Sequence, residues 1–315
     1  MNTFTLSILI ISYNTRKMTL ECLRSVFQET NETTFEVIVL DNASTDGSSE
    51  AIASEFGSRV RLIPATENLG FAAGNNRAAQ EARGEFILLL NPDTVVLDGA
   101  IDHLMAFAKS WPQAGIWGGR TLFGDGSLNP ASCWSRQTLW SLICQAAGLT
   151  SLFRRSSLFN PEGMGGWDRD GIRSVDIVSG CFLLIRQDLW RRLGGFRPEF
   201  FMYGEEADLC LRAKGLGLRP MVSSVATIIH YGGASEKIRA DKLVRLLGAK
   251  MRLVKYHFPA YTRHLGYWLL SLWPVNRYLA QAMLGRFVGH FFVEKSAVWL
   301  EVVRRRNEWY SSVIR

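Results

Sequence analysis

Four groups of polar residues in this 315-residue sequence have the types and spacing to do chemistry. Asn91-Pro92-Asp93 follows an apolar run. A carboxylate just past a buried strand is a hard oxygen ligand suited to Mg2+ or Mn2+, an ion commonly shared with a substrate diphosphate. The same tripeptide also makes a common turn, which Pro92 fits. Asp41-Asn42-Ala43-Ser44-Thr45-Asp46-Gly47-Ser48 reads as a helix-capping loop, or as a base or ribose site in which Asp41 accepts from a pyrimidine N3–H. Glu205, Glu206 and Asp208 open a helix. The helix dipole favours acidic residues in a first turn, but three within four residues exceed what capping needs. Like charges this close raise one another's pKa, which suits a general base. His230 ends a late strand and is either a structural histidine or, as neutral imidazole, a third ligand for Mn2+. Such a set could take the proton of an attacking hydroxyl and assist a leaving diphosphate.

Regular elements must hold these residues in place. Residues 6–12, 35–40, 60–63 and 85–90 are apolar runs that read as buried strands, and helical spacing falls at 15–28, 48–56, 72–82 and 101–109. Four apolar strands alternating with helices imply a parallel sheet with right-handed crossovers. Ligands of such sheets bind beyond the carboxyl ends of the strands. Asp41, Asn42 and Asp46 follow the second strand, and Asn91 and Asp93 the fourth, so they should converge on one crevice. Neither G-x-G-x-x-G nor G-x-x-x-x-G-K-[ST] occurs, so the dinucleotide fingerprint and the P-loop are absent. The second half begins near Gly115, with strand-like sequence at 175–185 and 222–230 and helices at 187–193 and 205–215. The tail turns helical at 237–256 and again after 265.

A hydrophobic content of 47% with 21% charged residues fits a chain with a full core, and excludes both a disordered protein and a multi-spanning one. The charge is unevenly placed. From Lys237 onward there are 15 Lys/Arg against 4 Asp/Glu, whereas the remainder carries 21 against 25. A basic tail on a mildly acidic body points to an anionic surface. Nucleic acid is one such surface. Trp268, Trp273, Trp299 and Trp309 among the tail's apolar runs favour a lipid interface instead, with Arg304-Arg305-Arg306 beside Trp309-Tyr310 as the expected headgroup contact. The five cysteines are odd in number and lack C-x-x-C spacing, which predicts neither a disulfide framework nor a zinc site and fits a reducing compartment. The amino terminus runs straight into a strand pattern without a secretory signature.

Ser7-Ile8-Leu9-Ile10-Ile11-Ser12-Tyr13-Asn14, followed by Val37-Ile38-Val39-Leu40-Asp41-Asn42-Ala43-Ser44-Thr45-Asp46-Gly47-Ser48, resembles the opening of glycosyltransferase family 2. Glu67-Asn68-Leu69-Gly70-Phe71-Ala72-Ala73-Gly74-Asn75-Asn76 and Leu89-Leu90-Asn91-Pro92-Asp93-Thr94 resemble its rhamnosyltransferase-like branch. So does Gly195-Phe196-Arg197-Pro198-Glu199-Phe200-Phe201-Met202-Tyr203-Gly204-Glu205-Glu206-Ala207-Asp208-Leu209-Cys210-Leu211-Arg212. The resemblance runs from residue 5 to about 235, in the same order and spacing.

It implies an α/β fold of GT-A type, with a Rossmann-like, mixed but mainly parallel sheet flanked by helices and a C-terminal helical extension. The implied organisation is a transferase domain at 1–236, with a nucleotide-sugar half at 1–114 and an acceptor half at 115–236, followed by a basic amphipathic extension at 237–315. By motif position, Asp41 resembles the nucleobase-binding residue and Asp93 the metal-binding aspartate of the family's D-x-D motif, with Asn91 where many members carry the first Asp. Glu206 occupies the catalytic-base position, where the family more often has Asp, and Glu205 is its understudy. His230 matches the late metal-binding histidine. Ser12, Asn14, Asn68 and Asn76 join Asp41, Asn91 and Asp93 as expected nucleotide-sugar contacts, although the glycines at 70–74 also fit a plain strand–helix turn. Residues 167–179 should face the acceptor.

The resemblance implies an inverting transfer of a sugar, rhamnose or another deoxyhexose as first choice, from a dTDP- or UDP-sugar with Mg2+ or Mn2+. The acceptor would be a lipid-linked or polysaccharide glycan of cell-envelope or surface-polysaccharide synthesis, at the cytoplasmic face of the plasma (inner) membrane. The departures at Asn91 and Glu206 keep a second reading open, a catalytically degenerate nucleotide-sugar-binding or scaffold protein.

Overall fold

The structure is a computed structural model that describes residues 4–232, 239–287 and 289–314. The run from Leu6 to Ser12 is buried at every position, as a strand covered on both faces of a sheet must be. It forms β1 (Leu6–Ser12), followed by α1 (Arg16–Glu29), β2 (Phe35–Asp41), α2 (Ser48–Phe56), β3 (Val60–Pro64), α3 (Gly70–Ala79) and β4 (Phe86–Leu90). The pairs β1–β2, β2–β3 and β1–β4 are all parallel, and Ser12 lies in register with Asp41.

The chain continues through β5 (Thr94–Val96), α4 (Ala100–Ser110), β6 (Ile116–Leu122), β7 (Leu128–Asn129), β8 (Cys133–Trp134), α5 (Leu139–Ala146) and α6 (Leu149–Leu152). Next come β9 (Ile172–Ser174), β10 (Ile177–Val178), β11 (Phe182–Arg186), α7 (Gln187–Leu193), α8 (Glu205–Gly215) and β12 (Met221–His230). The large sheet has the order β3-β2-β1-β4-β11-β6-β12-β5, and β8 and β10 form a small second sheet. β11 runs antiparallel to both neighbours, β4 and β6. β12 is parallel to β6 and antiparallel to β5.

The architecture is the expected α/β one, a mixed and mainly parallel sheet flanked by helices. Residues 175–185, read from the sequence as one strand, divide into β10 and β11 at a turn in which Ser179 N–H donates to the Ser132 carbonyl at 2.9 Å. Trp117, Phe182, Phe196 and Phe200 are fully buried and anchor the core.

Two compact units are present: residues 1–134, 168–201 and 205–235, and residues 135–167, 202–204 and 236–315. The transition expected at 236–237 lies outside the described residues. The second unit joins α5 and α6 to four C-terminal helices, α9 (Arg239–His257), α10 (Ala260–Phe287), α11 (His290–Arg304) and α12 (Arg306–Ile314). Its core is Leu142, Leu247, Met251, Val254, Leu270, Trp273, Val302 and Trp309, and Lys250 Nζ ties α9 to Glu162 at 2.5 Å. Two details of the tail differ from expectation. Trp309 is buried and donates its indole N–H to the Val302 carbonyl at 2.9 Å, and Arg305 pairs with Asp241 and Glu308. Neither is presented as a headgroup contact, because the apolar core and the local carboxylates claim both. Among the described residues, no helix is long and apolar enough to cross a membrane.

Gly70 starts α3 at φ +77°, and a Cβ there would lie 2.5 Å from the Phe201 carbonyl oxygen. That carbonyl also accepts the Phe71 N–H at 2.8 Å. Gly70→Ala is therefore expected to cost about 1–3 kcal/mol. The denaturant midpoint should fall with an unchanged slope, and a midpoint equal to the parent's would refute the close approach.

Candidate functional site

The sheet order β2-β1-β4 sets the loops after Asp41, Ser12 and Leu90 side by side. Asn14 takes the left-handed conformation (φ 52°), which asparagine tolerates better than most residues. Its N–H donates to Ser44 Oγ at 2.9 Å and its Oδ1 accepts the Thr45 N–H at 2.8 Å. Asp46 completes this loop-to-loop clamp. Its carboxylate accepts the N–H of Arg16 at 2.9 Å and of Ser48 at 3.1 Å, the first residues of α1 and α2. Partial burial opposes its ionisation, but the hydrogen bonds from Ser48 and Arg16 outweigh that and hold its pKa below the usual carboxylate range.

Asp41 is buried at the end of β2, where its carboxylate accepts from the hydroxyls of Ser44 and Ser49 and from the Ser44 N–H at 3.3 Å. A buried carboxylate needs hydrogen-bond donors, and Ser44 and Ser49 supply them. Ser12 lies beneath, its hydroxyl 3.1 Å from that of Thr19. Asn68 accepts from Asn42 Nδ2 and from the Gly70 N–H, both at 2.9 Å, and Asn42 Oδ1 accepts the Leu69 N–H at 2.8 Å. Asn42 and Asn68 thus staple the loop before α3 to the end of β2. Asn76 is brought elsewhere. It accepts the Phe196 N–H at 2.9 Å and donates to the Phe196 carbonyl at 2.8 Å, so both ends of its amide are engaged there.

The antiparallel pairing of β12 with β5 sets His230 opposite Thr94, and Tyr231 N–H donates to the Asp93 carbonyl at 3.0 Å. His230 Nε2 consequently lies 3.4 Å from Asp93 Oδ1 and 3.3 Å from Asn91 Nδ2. Two ligands of a six-coordinate Mg2+ at 2.0–2.1 Å sit roughly 3 Å apart, so this spacing suits a shared cation. Asn91 Oδ1 and His230 Nδ1 are buried and have no hydrogen-bond partner. Burial pushes the His230 pKa down, but the adjoining Cys181 side chain and the Asp93 carboxylate outweigh it and raise it to about 11. Among the described residues no group of three or more His, Cys, Asp or Glu is placed to hold a metal ion; a cation at Asp93 and His230 would draw its remaining ligands from elsewhere, as a substrate diphosphate can supply. Cys181 was legible only as a strand residue; no spacing rule links it to His230.

The three carboxylates of α8 are unlike one another. Asp208 is fully buried between Arg212 Nε at 2.7 Å and Arg197 Nε at 3.2 Å. Arg212 also donates to the carbonyls of Leu193 at 2.6 Å and Gly195 at 2.7 Å, at the end of α7. Asp208 is therefore a structural charge. Glu205 is buried and Glu206 half-buried. Glu206 stands by the turn before β11: a Cβ at Gly180 would meet the Phe71 ring at 3.1 Å and Glu206 Cβ at 3.8 Å. The next residue, Cys181, touches His230. The turn thus links Glu206 to the Asp93–His230 pair.

A family model described as glycosyl transferase family 2 matches residues 7–193, more than half of the chain. The chain belongs to glycosyl transferase family 2. It is a glycosyltransferase, and the matched stretch carries Asp41, Asn91 and Asp93 but ends before α8 and His230. It is similar to an N-acetylglucosaminyl-diphospho-decaprenol L-rhamnosyltransferase of Mycobacterium tuberculosis, 29% identical over 78% of this chain and 80% of that protein. It is also 28% identical to the O-antigen biosynthesis protein RfbC of Myxococcus xanthus, over 70% of this chain and 16% of that protein. Among solved structures, the mannosyltransferase PcManGT of Pyrobaculum calidifontis, in complex with GDP-Man and Mn2+, shares the fold with a TM-score of 0.58 at 16% identity, over 99% of this chain and 86% of that one.

Two predictions separate scaffold from chemistry. Asp208→Asn leaves two arginines without their buried counter-charge and should cost roughly 3–5 kcal/mol, whereas Glu206→Gln should change stability by less than about 1 kcal/mol. Equal losses in chemical unfolding would refute the division. Asp46→Ala should cost about 1–2 kcal/mol through the lost hydrogen bonds to the first N–H groups of α1 and α2. The folded pKa of Asp46 lies below its unfolded value, so its contribution is complete above the unfolded pKa and is lost as pH falls through the folded one. The stability difference between parent and Asp46→Ala should therefore shrink below about pH 4, and a difference that persists there would overturn the assignment.

Proposed function

We propose that this glycosyltransferase moves a deoxyhexose, rhamnose as first choice, from a dTDP- or UDP-sugar to a hydroxyl of a lipid-linked or polysaccharide glycan in cell-envelope or surface-polysaccharide synthesis, with inversion at the anomeric carbon. The observation that carries the reading is the approach of His230 to Asp93 at 3.4 Å, beside the unpartnered Asn91 Oδ1, with Glu206 behind Gly180. The relative named as an L-rhamnosyltransferase of N-acetylglucosaminyl-diphospho-decaprenol supports the sugar and the acceptor class. The Mn2+ and GDP-Man bound to the structural neighbour support a divalent ion and a nucleotide-sugar.

In this reading Asp41 accepts the N3–H of the pyrimidine, while the Asn14–Ser44–Thr45 clamp shapes the rim around the nucleoside and Ser12 and Asn68 support it from below. Asp93 and His230, with Asn91 alongside, would hold Mg2+ or Mn2+. When bound, that ion would offset the charge of the departing diphosphate. Glu206 takes the proton of the acceptor hydroxyl, with Glu205 as its neighbour on α8. The acceptor oxygen forms its bond to the anomeric carbon on the face opposite the diphosphate, the bond to the diphosphate oxygen breaks, and the nucleoside diphosphate leaves. The chain acts peripherally at the cytoplasmic face of the plasma (inner) membrane.

Thermal shift with dTDP- and UDP-sugars, with and without Mn2+ or Mg2+, tests the donor site. A ligand at 100 times its dissociation constant stabilises by about 2.7 kcal/mol. Asp93→Ala should lose the metal-dependent shift and the transfer. Glu206→Gln should keep the shift while transfer falls by roughly 10²–10⁴-fold. Transfer that survives both substitutions would sink the reading.

A further inference from the structure

Helix α10 carries two apolar faces, and only one of them is covered. Gly266, Leu269, Leu270 and Trp273 are buried, the last three in the core of the C-terminal unit. Tyr261, Leu265, Trp268, Leu279, Met283 and Phe287 are exposed, Tyr261 by 87%, Trp268 by 58% and Phe287 by 82%. Their spacings of three and four residues give two apolar stretches, 261–268 and 279–287, and the eleven-residue step between them returns to the same side of an ideal helix. At 1.5 Å per residue the two stretches run for roughly 10 and 12 Å, and Leu272 between them packs on the core. Exposed apolar residues grouped in this way mark a contact surface.

Charge decides what covers it. α10 contains Arg263, Arg277 and Arg286 and no Asp or Glu. The chain from Lys237 onward holds 15 Lys/Arg against 4 Asp/Glu. Arg263 is bonded to the Phe258 carbonyl and Arg277 to Ser151, which leaves Arg286 as the exposed arginine of the helix, and α10 has no carboxylate to pair with it in a second copy. An anionic surface supplies the missing charge, and the aromatic residues Tyr261 and Trp268 are the types that settle at a bilayer's headgroup level. The helix is too polar to cross a bilayer, which leaves an orientation in the plane of the interface.

We propose that the exposed stripe of α10 is a docking face for an anionic lipid bilayer. The proposal deepens the lipid-linked acceptor reading and rests on it for its purpose. It also moves the contact away from Trp309 and Arg305, which the C-terminal unit uses internally.

Flotation of the full chain with phosphatidylcholine vesicles, with and without phosphatidylglycerol, tests it. The parent should float with anionic vesicles and be released by salt. The double variants Leu265→Ser/Trp268→Ser and Met283→Ser/Phe287→Ser should each lose at least about tenfold in partitioning, whereas Leu216→Ser, an exposed apolar position in the other unit, should lose nothing. Lipids labelled with a quencher should dim the parent's tryptophan fluorescence, and Trp268→Phe should remove that loss without any question of folding. Transfer to a water-soluble acceptor in the absence of vesicles should persist in all variants. If vesicle binding is found but transfer is absent even in the parent, the functional reading fails and docking stands. Equal flotation of parent and double variants, or a parent that ignores anionic vesicles, overturns the proposal. So does a concentration-dependent dimer that the same substitutions dissolve, which would identify a second copy as the cover.

Discussion

The site depends on one strand that runs the wrong way. β11 enters the sheet antiparallel between β4 and β6, and just before it the Cys181 carbonyl accepts the Asn91 N–H at 3.1 Å. That contact joins the residues after β4 to the turn before β11. It sets Gly180 and Cys181 beside the residues that follow β4, and α8 and β12 then bring Glu206 and His230 to the same edge. A side chain at 180 would crowd the Phe71 ring, 3.1 Å from an added Cβ.

Carboxylates in this chain do three different jobs, and their surroundings rather than their sequence positions assign them. Asp208 is fully buried with two arginines, where removing one partner exposes the others to an uncompensated desolvation penalty of several kcal/mol. Asp46 accepts from the starts of two helices, a contribution of about 1–2 kcal/mol that is modest because the group keeps access to water. Asp41 and Asp93 sit buried at strand ends with donors or a histidine around them. The α8 cluster looks uniform as a string of letters, yet only Asp208 is a scaffold charge.

The C-terminal unit makes the same point with apolar groups. Trp273 and Trp309 are buried in its core, with Trp299 packed against it, while Trp268 faces outward. Composition placed four tryptophans in a basic tail; the register of each helix against its neighbours decided which of them meet solvent. Pro274 lies inside α10, between the two stretches of the exposed stripe.

The sequence by itself determined β1, β2 and β4, the parallel half of the sheet, and the polar residues that follow those strands. Burial on both faces leaves an unbroken apolar run that is readable locally, and loops at carboxyl ends follow from topology. The resemblance of the family motifs added the expectation that Glu206 and His230 share one site. Tertiary structure decided what no local pattern encodes. β11 is antiparallel because of where its partners lie, not because of its own residues. Asn76 is bound to Phe196 across 120 positions. Asp208 became structural because Arg197 and Arg212 fold onto it. Each of these depends on contacts between distant segments, and the pairing energy of such contacts appears only once the chain has closed the intervening loops.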